Sequence, residues 1–87
     1  MQEVWAGKVL LAFDGRVLEV FGFTGAESVR FHVRNMELSV DGPDSKGTYW
    51  VLVKPASAGG GVQLQVPQED WAAVGPFLDA VLAAVPG

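Results

Sequence analysis

There is no cysteine in this chain and only one histidine, His32. The first absence removes disulfides, thiolate zinc sites and cysteine nucleophiles, and fits an intracellular setting. The second leaves no transition-metal donor set and no Ser-His-acid grouping with recognisable motif spacing. Charge is scarce at 18% of residues, and positive charge is scarcer: six Lys and Arg face ten Asp and Glu, a net charge of -4. Neither half of the chain is basic. A nucleic-acid binder needs several cationic contacts to phosphates and a binder of anionic lipid needs a polybasic patch, so neither nucleic acid nor membrane is expected as a partner. Long apolar runs are missing too. The longest, Ala80 to Pro86, falls far short of the roughly 20 residues that a spanning helix requires. The opening Met-Gln-Glu-Val-Trp lacks the cationic start, apolar run and cleavage site of a secretory leader. A soluble, cytoplasmic protein is the expectation.

What remains is apolar enough to fold, with 49% hydrophobic residues among 87. That length makes one domain, residues 1–87, with a stability on the order of 5 kcal/mol and little room for a deep active site. Lys8 to Phe13 and Arg16 to Phe21 are rich in Val, Leu and Phe and flank Asp14-Gly15, a strong two-residue hairpin signal of type I′. That turn pairs Phe13 with Arg16, Leu11 with Leu18 and Val9 with Val20 on a core face. Its second face pairs Ala12 with Val17, Leu10 with Glu19 and Lys8 with Phe21. Period-two alternation marks strands over Val29 to Arg34 and Met36 to Val40, with a bulge or bend at Asn35 between them. Thr48 to Lys54 is a strand apolar on both faces, expected to be central or covered on both sides, and Val62 to Val66 is a last short strand. From Gln68 the period becomes 3.6, placing Trp71, Val74, Leu78, Val81, Leu82 and Val85 on one face of a closing helix, with a kink or break expected at Gly75-Pro76. The predicted core is Val9, Leu11, Phe13, Leu18, Val20, Phe31, Val33, Leu38, Val51 or Leu52, Leu64, Trp71, Val74, Leu78 and Leu82.

Few residues suggest chemistry. Arg30, His32 and Arg34 alternate onto one face of a strand and could bind an anion. The plainer reading is a solvated face whose cations pair with Glu19 or Glu37 on neighbouring strands. Gly59-Gly60-Gly61 precedes a strand and lacks Lys-Ser/Thr and a helix N-terminus, so it reads as a hairpin connection and not as a phosphate loop. Glu69-Asp70 at the helix start compensates the macrodipole. No catalytic residue, cofactor or metal is expected.

Several strands followed by one amphipathic helix that opens on Asp70-Trp71 resemble the pleckstrin-homology-like (PH-like) fold, and in particular its small bacterial domains. The resemblance rests on Val9 to Val20 with Phe13-Asp14-Gly15, on Arg30-Phe31-His32-Val33 followed by Met36-Glu37-Leu38-Ser39-Val40, on Gly47 leading Tyr49 to Val53, and on Asp70-Trp71. It implies a mainly β fold with one C-terminal helix, a partly open barrel of six or seven antiparallel strands, with Glu3 to Ala6 as the source of a seventh. A sheet with one helix on its face and a strand-swapped dimer are the other architectures. Lipid-binding members carry several cations in and after the first hairpin, whereas here only Arg16 adjoins the turn, so no phosphoinositide site is carried over.

The resulting expectation is a non-enzymatic interaction module that binds a protein partner or itself, as a homodimer. The alternative is a small anionic-ligand binder using Arg30, His32 and Arg34. The apolar surplus behind the first expectation is Leu10, Val17 and Phe21 on the hairpin's second face, and Phe77 flanking an alanine-rich helix back.

Overall fold

A computed structural model of the chain describes residues 1–24, 27–56 and 61–86. Strands β1 (Gln2–Ala6), β2 (Val9–Phe13), β3 (Val17–Thr24) and β4 (Glu27–His32) form one antiparallel sheet in that order. A 3-10 turn over Val33–Asn35 leads to β5 (Met36–Asp41), β6 (Tyr49–Pro55) and β7 (Val62–Val66), the second antiparallel sheet, and helix α1 (Gln68–Ala84) follows. The fold is therefore mainly β with a single C-terminal helix, and its two sheets are not closed into a barrel. The Glu3 to Ala6 segment does supply a strand. Gly59 and Gly60 of the expected glycine connection lie outside the described residues.

The hairpin predicted as first is the second, and its register differs by two residues. Phe13 lies opposite Leu18, Leu11 opposite Val20, Ala12 opposite Glu19 and Leu10 opposite Phe21. The central turn residues are Gly15-Arg16, not Asp14-Gly15. Gly15 has φ +99 and among the described residues no residue other than glycine has a positive φ, which is the type II′ pattern, whereas type I′ needs positive φ at both central positions. Asp14 stands before the turn, its Oδ1 accepting the N–H groups of Arg16 at 2.9 Å and Val17 at 2.8 Å. The same Gly-cation pattern recurs at Gly7-Lys8, where Ala6 pairs with Val9 and Gly7 has φ +63. A two-residue slip leaves every side chain on its predicted face, because the strand period is two, but it changes which side chains are neighbours.

The core fills the space between the sheets and under the helix, and among the described residues no polar or charged residue is buried in it. Leu11, Phe13, Leu18, Val20, Phe31, Val33, Val51, Leu64, Val74 and Leu78 are buried as expected. Val9, Leu38 and Trp71 are only half-buried against the core, and Leu82 is 41% exposed. On the central strand β6, Val51 and Val53 are buried while Leu52 is exposed, so one face is covered and not both.

Helix α1 crosses Gly75-Pro76 without a break. Proline withholds only the hydrogen bond to the Ala72 carbonyl, and Ala72 is exposed to water. Gly75 has a packing reason: a Cβ there would lie 3.3 Å from the Trp71 indole, which folds back along the helix and stacks on Tyr49 at 3.9 Å with a 5° interplanar angle. The buried helix positions are Val74, Phe77, Leu78 and Val81. At 100° per residue this arc is rotated by roughly 40° from the predicted one. Phe77 turns inward to meet Phe13 edge-on, with centroids 6.5 Å apart, and Leu82 turns outward.

Candidate interaction surfaces

The outer face of the four-stranded sheet carries an apolar row. Trp5 lies opposite Leu10, and Leu10 opposite Phe21, so the three side chains are direct cross-strand neighbours. Trp5 is 60% exposed and Phe21 37%. The next row along the sheet is Glu3, Ala12, Glu19 and Arg30, and it is closed on itself: Arg30 Nε lies 3.8 Å from Glu19 Oε2, which also accepts the Ser28 hydroxyl at 2.6 Å. Val17 lies beyond that row, opposite His32, about 13 Å along β3 from Phe21. Of the predicted contact residues, Leu10 and Phe21 therefore stand together, Val17 stands apart and Phe77 is in the core. Trp5 was not among them. The signal for it was Gly7-Lys8 between Trp5-Ala6 and Val9-Leu10, a two-residue hairpin that puts Trp5 beside Leu10.

The predicted cationic stripe is divided. Arg30 is on the sheet face, paired with Glu19 as the plainer reading had it. Glu37 pairs instead with Lys54, at 3.2 Å. The strand ends at His32, and the 3-10 turn carries Arg34 off the sheet, so alternation no longer relates it to Arg30. His32 caps that turn, Nδ1 accepting the Arg34 N–H at 3.2 Å. Both side chains instead meet Arg16 around a separate cavity near the end of the helix.

A groove of about 620 Å³ runs beside β5, lined by Leu38, Leu52, Leu82 and Val85 and flanked by Arg34 and Lys54. The Ala56 N–H donates to the Asn35 carbonyl at 3.0 Å, which sets the alternation of the ladder: Glu37, Ser39 and Asp41 bond to β6, and the backbone groups of Met36, Leu38 and Val40 point away from it. Pro55, which has no N–H, falls at a non-bonded position opposite Met36. β5 is thus an edge whose outward hydrogen-bonding groups meet no other strand among the described residues.

The polar turns are structural. Asp44 Oδ1 accepts from the N–H groups of Thr48 at 3.0 Å and Lys46 at 2.8 Å, and Oδ2 from the Trp50 indole at 3.2 Å. Chiefly the Thr48 and Lys46 bonds hold this carboxyl below the ordinary aspartate range. The Val17 and Arg16 N–H groups do the same for Asp14. Asp70 Oδ2 accepts the Gly7 N–H at 2.9 Å, tying the helix start to the β1–β2 turn while facing the positive end of the dipole. Among the described residues no three His, Asp or Glu side chains converge as metal donors, and no helix is long and apolar enough to cross a membrane. No protein-family model matches this chain, and neither does any curated protein or solved structure.

Proposed function

We propose that this chain is a non-enzymatic, PH-like interaction module that associates with a second copy of itself through the outer face of the four-stranded sheet. The order of four strands, three strands and a helix supports the PH-like reading. The observation that carries the function is the Trp5–Leu10–Phe21 row, whose two aromatic rings are exposed on either side of a half-buried leucine. With Trp5 60% and Phe21 37% exposed, and aromatic side chains burying about 150 to 250 Å² each, the row offers on the order of 200 Å² of apolar surface per protomer. At about 25 cal/mol per Å², two protomers gain roughly 10 kcal/mol, which falls within the 4 to 15 kcal/mol that association costs. At the low end of that cost about 6 kcal/mol remains, so the dimer is a weak one, with a dissociation constant no tighter than tens of micromolar. Light scattering across a concentration range tests this: a mass of one chain, 9.2 kDa, persisting at high micromolar concentration sinks the reading. Phe21→Glu should dissociate the dimer and leave the monomer folded. An unchanged mass in that variant moves the contact elsewhere.

The free β5 edge beside an apolar groove favours a second reading, in which an extended peptide adds a strand to β5 and sets alternate side chains against Leu38 and Leu82. Selection from a displayed peptide library should then yield binders that Leu82→Ala loses while remaining folded. The β1–β2 turn, the true first hairpin, carries Lys8 as its one cation, which supports neither phosphoinositide nor membrane as the ligand.

A further inference from the structure

Arg16, His32 and Arg34 meet where the helix finishes. Together with Ala84 and Pro86 they line a cavity of about 530 Å³, and no acidic residue lines it. A chain of net charge -4 thus places two of its six Lys and Arg, and its one histidine, around a single cavity.

Three hydrogen bonds hold the segments that bear these groups. Asp14 Oδ1 accepts the Arg16 N–H at 2.9 Å, the Arg16 carbonyl accepts the Val33 N–H at 2.8 Å, and His32 Nδ1 accepts the Arg34 N–H at 3.2 Å. The last bond has a chemical consequence. With Nδ1 an acceptor, the proton of the neutral ring resides on Nε2, so His32 offers a donor without being charged. Neither arginine is in a salt bridge among the described residues, where the ion pairs are Arg30 with Glu19 and Lys54 with Glu37. The helix C-terminus opposes an anion with about half an elementary charge, against which two guanidinium groups leave the cavity positive.

We propose that this cavity binds a phosphate dianion, free or as the terminal group of a small soluble phosphomonoester. Planar guanidinium groups offer paired N–H donors that match phosphate oxygens, and the histidine adds a third direction of donation. A volume of about 530 Å³ exceeds what phosphate alone fills, which leaves space for a small organic group beside it. The chain's overall negative charge disfavours an anionic bilayer as the source of the phosphate.

The test is a backbone amide NMR titration with inorganic phosphate at constant ionic strength. Saturable shifts confined to residues 15–16 and 32–34 are expected, with a dissociation constant on the order of 1 mM. Arg16→Gln and Arg34→Gln, both at exposed positions, should keep the dispersed spectrum of a folded domain and weaken binding about tenfold each, the loss of one charge-assisted contact. Arg30→Gln should change nothing. Linear, unsaturating shifts, shifts centred on Arg30 or Lys54, or binding unaltered by Arg34→Gln overturn the proposal. Vesicles of phosphatidylcholine doped with a phosphatidylinositol phosphate separate the two sources: no co-sedimentation supports a soluble ligand, and co-sedimentation that Arg34→Gln abolishes overturns that source in favour of a lipid headgroup.

Discussion

Leu78 and Leu82 lie one helical turn apart and face different surroundings, which makes them a direct test of how the helix is seated. Leu78 is 2% exposed and Leu82 is 41% exposed. Truncating a buried leucine to alanine removes the transfer energy of its lost carbons and leaves a cavity, together about 2 to 5 kcal/mol. For 87 residues, the usual range of roughly 0.05 to 0.15 kcal/mol per residue gives a total of about 4 to 13 kcal/mol, so Leu78→Ala removes a large share of it. The unfolding entropy of a chain this long is about 0.18 kcal/mol per kelvin, so a loss near 3 kcal/mol lowers Tm by roughly 15 °C. Leu82→Ala gives up only a partly covered side chain from a site that water can refill, and alanine is the better helix former. Its cost stays below about 1 kcal/mol, a Tm change under about 5 °C. Thermal unfolding followed by near-UV circular dichroism compares the two. Protein concentration is kept low enough that self-association does not raise Tm by mass action. Equal shifts, or a larger one for Leu82→Ala, would refute the seating of α1 with Phe77 inward and Leu82 outward.

That seating was only half legible in the sequence. Apolar positions from Phe77 round to Leu82 span about 140° of the helical wheel, more than one face can bury. Residue type alone did not decide which margin is lost. What decides it is tertiary: Phe13 on β2 offers an edge to the Phe77 ring, and the Trp71 indole packs at the margin of the core, stacked on Tyr49. The strands were more legible, because alternation is a property of the chain itself. Val62, Leu64 and Val66 are buried as an alternating strand with one covered face requires. The mainly β architecture with one closing helix follows from those periods.

The turns, and the surfaces built on them, are less legible in the sequence than the strands. Asp-Gly and Gly-Arg are both acceptable hairpin centres, and Asp14 satisfies either by standing inside the turn or before it. The choice moves no residue between faces, so hydrophobic patterning offers no correction. Yet it determines that Phe21 lies beside Leu10 and not beside Lys8, and hence that an apolar row exists. The period-two pattern runs on to Arg34 although the strand ends at His32, so alternation places Arg34 beside Arg30 where the chain in fact turns away. The Arg16 contribution to the second cavity is out of reach of the sequence, since it depends on the Val33 N–H bonding to the Arg16 carbonyl seventeen positions away.

Two further predictions concern charge. Phe77→Glu should unfold the domain, because it puts a carboxylate among Phe13, Val74 and Leu78 with no partner, whereas Phe21→Glu should leave the melting temperature of the monomer within a few degrees; circular dichroism distinguishes the two. The second follows from Asp14 and Asp44, whose carboxyls are held below the ordinary aspartate range by backbone N–H groups in the folded chain only, helped at Asp44 by the Trp50 indole. A carboxyl depressed in the folded state contributes stability that is complete above its unfolded value of about 3.9 and is lost as the pH falls through the folded value. Stability to urea should therefore fall away below about pH 4 as these two turns lose their acceptors. Asp44→Ala, and Asp14→Ala to a lesser degree, should lower stability at neutral pH and flatten the acid limb, since the variant has no proton left to gain at that site. The ordering reflects the donors: Asp44 holds two N–H groups and an indole and spans the β5–β6 connection, while Asp14 serves a two-residue turn whose glycine already adopts the required φ. An acid limb of unchanged steepness in the double variant would mean that other carboxylates govern acid unfolding and that these two turns form equally well without charge.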